Sequence, residues 1–151
     1  MNHKFFAALL TTMLALPYAA TGYAAPWQGW RGSGGWGTGS SYQRMYDPAK
    51  VETVTGEVVS VDRVTPMKRM NNGIHLQLKT NQGQIPVHLG PSWYIERLDT
   101  KIEPGDKIVV KGSRVEIAGK PALIAAEVKK GDALLKLRDE QGIPVWAGWR
   151  R

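Results

Sequence analysis

The feature that most constrains this chain is a two-residue alternation of apolar and polar side chains that reverses on itself. Ile74, Leu76 and Leu78 share one face, Asn81-Gln82-Gly83-Gln84 turns the chain, and Ile85, Val87 and Leu89 continue that face on the return. A period of two belongs to a half-buried strand, so the segment reads as a β-hairpin with one wet side. The rest of the chain from Val51 agrees. Val54–Asp62 reads as a long strand with Gly56 as its bulge or bend, Lys107–Glu116 and Ala122–Val128 as two more, and Leu134–Arg138 as a sixth. Between the hairpin and the later strands, Gly90–Leu98 reads as one short helix with Pro91 in its first turn.

A long bent strand, a hairpin, a short helix and two further strands follow the order of the OB barrel. The expected fold is all-β with one short helix, a five- to six-stranded OB-like Greek-key barrel over residues 51–140. An SH3-like barrel or an open meander competes, and the position of the helix favours OB.

The first 24 residues carry a short positive start, an apolar run from Phe5 to Leu16, and small residues at Gly22-Tyr23-Ala24. That is the pattern of a secretory signal peptide cut after Ala24, too short and wrongly flanked for a membrane span. The expectation is an exported protein, periplasmic or secreted. Residues 25–50 follow as a glycine-rich leader expected to be disordered, because glycine at that density is costly to order. Trp27, Trp30 and Trp36 are unusual there: either they are used, or they fold back onto the domain. Residues 141–151 form a Trp/Arg tail.

The chain has no cysteine, which excludes a disulfide framework, a thiolate zinc site, a cysteine nucleophile and covalent haem attachment through Cys-x-x-Cys-His. A net charge of +7 favours acidic partners, although the basic residues are scattered among acidic ones. No Gly-x-Ser-x-Gly elbow and no phosphate loop ahead of a helix occur, so the chain is read as a non-enzyme.

His75 and His88 are the sharpest candidates for chemistry. With Gln82-Gly83 as a two-residue turn, Gln77 faces His88, and His75 lies diagonally across from it on the outer face, roughly 5.5–8 Å away. Such a pair is half a site for a copper, zinc or iron ion, and Met67 and Met70 in the preceding loop add soft sulfur suited to Cu(I). Polyanion binding is the alternative, with Lys68 and Arg69 in the loop and Arg150 and Arg151 in the tail as its cations. Nucleic acid is disfavoured, because residues 71–91 hold no Phe, Tyr or Trp on which bases could stack. Trp93, Tyr94, Trp146 and Trp149 either close the barrel or offer an edge to a protein partner. Arg138 and Asp139 read as a local ion pair of little weight.

Gly73–Thr80, Val87–Tyr94, Gly105–Ser113 and Leu137–Trp146 together resemble the family of small exported bacterial proteins that contains the magnetosome MamS/MamX domain. The resemblance spans about residues 52–148, and His-Leu-Gly-Pro-Ser-Trp-Tyr at 88–94 is its most specific part. It implies a periplasmic domain associated with metal or redox handling and an envelope protein as partner. This chain departs from haem-bearing members in lacking Cys-x-x-Cys-His, which implies that it carries no haem.

Overall fold

In a computed structural model, residues 34–148 are described. The expected signal peptide, the first part of the leader, and Trp149, Arg150 and Arg151 lie outside them. Six strands carry the fold: β1 (Val51–Val64), β2 (Gly73–Thr80), β3 (Gly83–Pro91), β4 (Lys107–Ile117), β5 (Lys120–Lys130) and β6 (Ala133–Lys136). They hydrogen-bond in the order β3-β2-β1-β4-β5-β6, and a parallel pairing of Val87 and His88 with Leu123 and Ile124 joins β3 to β5. That pairing closes a ring β1-β2-β3-β5-β4, the OB-like order expected from the sequence.

The 14-residue β1 serves both halves of the ring. Val51–Glu57 pair with β4 and Glu57–Val64 with β2. The ladder irregularity falls at Val59, between Val58 and Ser60, rather than at Gly56. Gly56 has a different job: a Cβ there would sit 2.5 Å from the Lys79 carbonyl oxygen, so the glycine permits close approach of β2.

The ring is filled by Val58, Leu76, Leu78, Val87, Leu89, Ile108, Val110, Leu123 and Val128, each at most 1% exposed. On β2 the inward set is the one the alternation predicted. The helix α1 is shorter than expected, Ser92–Ile95, and continues to Leu98 only as turns closed by Arg97 N to Tyr94 O and Leu98 N to Ile95 O. The sixth strand stops at Lys136, because Leu137 and Arg138 both direct their N–H groups to the Ala126 carbonyl and the chain turns inward.

The leader corrects the expectation of disorder over its described half. Residues 34–50 form a strap across the barrel, with Trp36 and Tyr42 each 1% exposed and Tyr46 8% exposed. Two 3-10 turns, Gln43–Met45 and Pro48–Lys50, punctuate it. Asn71 N donates to Gly34 O at 2.8 Å, and Asp47 N donates to Ser113 Oγ at 2.9 Å. Glycine density argues for a flexible chain only while its aromatic residues find nothing to cover; here they find the outer face of the hairpin.

Candidate functional site on the outer face of the hairpin

The turn between β2 and β3 uses Asn81-Gln82, so that Thr80 pairs with Gly83, Leu78 with Ile85 and Leu76 with Val87. This register is offset from the one expected for a Gln82-Gly83 turn. Gly83 supplies a positive φ of 112° just after the turn, and the Thr80 hydroxyl donates to the Gly83 carbonyl at 2.8 Å. One consequence is chemical: His75 lies directly opposite His88 instead of diagonally across. Their rings stack with centroids 3.7 Å apart and planes within 13°.

Both imidazoles point outward from the barrel, yet both are buried, at 6% and 5% exposure. The cover is the strap. Tyr42 stacks over His88 with ring centroids 5.9 Å apart, and its hydroxyl is hydrogen-bonded to His88 Nδ1 at 3.0 Å. Trp36 meets Tyr42 edge-on at 4.9 Å. The Trp36 indole donates to Asn71 O at 2.9 Å.

Trp146, in the 3-10 turn Val145–Gly148, donates its indole proton to Trp36 O at 2.8 Å and so ties the two ends of the described chain together. Two strand glycines make room for these rings. A Cβ on Gly73 would lie 2.2 Å from Trp36, and one on Gly90 would lie 2.7 Å from Trp146. Glycine here is the floor on which a tryptophan lies.

Burial sets the charge state of the site. It pulls the His75 pKa down to about 4, opposed in part by Asp62 across the ladder. It pulls His88 further, to about 3, helped by the neighbouring His75 and Arg138. Both rings are therefore neutral near pH 7. Burial also raises the Tyr42 phenol well above its ordinary value, so it keeps its proton. His75 Nε2 is buried with no hydrogen-bond partner among the described residues.

Arg138 is the residue the sequence reading undervalued. It is 1% exposed, and among the described residues it pairs with no carboxylate, Asp139 included, whose Oδ1 instead accepts from Gln141 N and Ile143 N. Its Nη1 donates to the carbonyls of Leu89, at 3.3 Å, and Ala125, and its guanidinium carbon lies 5.0 Å from the centre of the Trp146 ring. Burial lowers its pKa.

The remaining candidates are dispersed. Met67 and Met70 are half-buried against the core, and the Met70 side chain backs Gly35 of the strap. Lys68 and Arg69 are exposed in the β1–β2 loop, where Arg69 adopts a φ of 67°. Tyr94 and Trp146 are 8% and 3% exposed and pack on each other at 5.3 Å, so they close the barrel and do not offer an open edge. Trp93, half-buried, meets Tyr94 edge-on.

Among the described residues no group of three or more His, Cys, Asp or Glu is placed to hold a metal. Stacked parallel rings also hold their nitrogen lone pairs side by side rather than convergent. A single ion shared by His75 and His88 therefore does not fit the pair as it stands.

Two signals in the sequence pointed to this layer. One was tryptophan in a glycine-rich leader. The other was glycine at outward positions of well-formed strands, Gly73 and Gly90.

Fold and site together define a small OB-like β-barrel whose hairpin face is roofed by its own strap and C-terminal turn. The chain belongs to the MamS/MamX magnetosome protein family, whose sequence pattern matches residues 50–135. No curated protein matches the chain. Among the described residues no helix is long and apolar enough to cross a membrane.

Proposed function

We propose that the protein is a non-catalytic accessory module of the cell envelope that engages a protein partner concerned with metal or redox chemistry. The observation that carries this reading is the roofed hairpin face. OB barrels that take up nucleic acid or glycan do so on the face of strands two and three, with aromatic rings as the stacking surface. Here Trp36, Tyr42 and Trp146 already lie on that face. An extended polymer has to displace them, and the exposed cations Lys68 and Arg69 alone are a small electrostatic reward for doing so. The membership in a magnetosome protein family supports the metal and redox side of the reading, and the export signal read from residues 1–24 supports the envelope.

The test has two arms. Chemical crosslinking of the full-length protein in its own cells is expected to give an adduct with a metal- or redox-active envelope protein. Purified protein is expected to pass unretained over heparin and single-stranded DNA at physiological salt. Retention on either polyanion, together with no protein adduct, contradicts the proposal.

A further inference from the structure

Arg138 holds a full positive charge in the protein interior with two of its three guanidinium nitrogens unused. Nη1 is engaged by the Leu89 and Ala125 carbonyls, whereas Nε and Nη2 are buried and have no partner among the described residues. Those two nitrogens lie along one edge of the guanidinium plane, the edge whose two parallel N–H bonds match the two oxygens of a carboxylate. A buried polar group left unpaired is costly, and a charged one more so, so an unused fork in a native interior calls for an explanation.

The surroundings suggest one. Arg138 forms part of the wall of a cavity of about 250 Å³, together with Tyr46, Lys111 and Lys136 and the carboxylates of Glu127, Asp139 and Glu140. Three fixed cations face three fixed anions there, which leaves no excess charge to hold a dianion. A monocarboxylate disturbs that balance less than a dianion, and Arg138 is the lining residue with unpartnered nitrogens. Tyr46 lines the same cavity, close enough to feel the charge of Arg138, with its ring on Gly142.

We propose that Arg138 anchors a binding site for a monocarboxylate, entering beside Tyr46 and held bidentately by Nε and Nη2. The carboxylate belongs to a small free acid or to the end of a peptide chain; the recognising chemistry is the same. The site adjoins the histidine pair through the Leu89 carbonyl and the charge of Arg138 on His88, and it does not depend on the partner proposed above.

The test is nitrogen-15 NMR of the mature protein, following the Arg138 Nε–H resonance while sodium acetate replaces sodium chloride at constant ionic strength. A saturable shift of that resonance, weakened several-fold in the surface variant Lys111→Gln/Lys136→Gln, is the expected result. A parallel titration with a neutral-side-chain tripeptide and its C-terminally amidated form identifies the source: a response to the free form only marks a chain end, a response to acetate alone a free acid. Two outcomes overturn the proposal: no shift with any carboxylate, or an Nε–H resonance moved by Glu127→Gln before any ligand is added. The last would mean that the protein's own carboxylate fills the fork.

Discussion

Lowering the pH from 8 to 5 should remove a large part of this protein's stability, and the histidine stack sets the amount. In the unfolded chain both imidazoles titrate near 6.5, whereas in the fold His75 is held to about 4 and His88 to about 3. The unfolded state therefore binds more protons below pH 6.5. The stability contributed by the neutral pair is complete above that value and drains away as pH falls toward the folded values. At pH 5 the linkage relation gives a loss of about 2 kcal/mol per histidine, or about 4 kcal/mol for the pair. Against a typical total of about 5–15 kcal/mol this is a large share.

Structurally, protonation would place two imidazolium rings 3.7 Å apart beside a buried guanidinium. Relief comes by lifting the strap at Tyr42. The assay is urea unfolding at pH 8, 7, 6 and 5, for the wild type and for His75→Gln/His88→Gln. The window stops at pH 5, above the range in which Glu52 and Asp106, both held below the usual carboxylate values by Arg114 and Lys130, take up protons. A stability at pH 5 within about 1 kcal/mol of that at pH 8, or an equally steep loss in the double variant, would mean that the histidine pair is not what makes the fold acid-sensitive.

Three further outcomes follow from the same layer. Tyr42→Phe removes the hydroxyl on His88 Nδ1 and leaves that nitrogen buried without it; urea unfolding should show a loss of about 1–3 kcal/mol. Gly90→Ala and Gly73→Ala each place a methyl group inside the contact distance of a tryptophan, and each should cost about 1–3 kcal/mol with a change in tryptophan fluorescence. Deleting residues 25–46 uncovers the hairpin face, so the NMR-detected titration of both histidines should move up toward pH 6.5. Unchanged midpoints in the deletion would mean that the strap is not what buries them.

The barrel was legible in the sequence because its strands alternate apolar and polar side chains, and that period picks out the inner face directly. Ile74, Leu76 and Leu78 fell on the inner face as read, and the helix fell between the third and fourth strands. The register of the hairpin was not legible. Asn81-Gln82 and Gln82-Gly83 are both acceptable turns, and the fold uses the first, with Gly83 at a positive φ just after it. Because the side-chain period is two, either turn leaves the histidines facing outward, so the pattern could not signal that they face each other.

Their burial was hidden for another reason. A polar residue at an outward position is normally wet, and only a distant segment, here Tyr42 at 46 residues' separation from His88, makes it otherwise. Arg138 was missed by the same logic: its sequence neighbour Asp139 is a ready partner on paper, but the carboxylate is committed to the turn it closes. What the sequence did hold were the glycines at 73 and 90, whose lack of a side chain inside regular strands leaves the space the tryptophans occupy.

The protein roofs its own hairpin face, and hydrogen exchange of the tryptophan indoles reads that roof out. The Trp36 and Trp146 indole protons are each committed to a backbone carbonyl beneath the strap. In the mature protein two indole resonances, assigned by Trp36→Phe and Trp146→Phe, should outlast transfer to deuterated buffer by orders of magnitude relative to free tryptophan. An indole of Trp36 that exchanges as fast as free tryptophan would contradict the account, because the hairpin face would then be open.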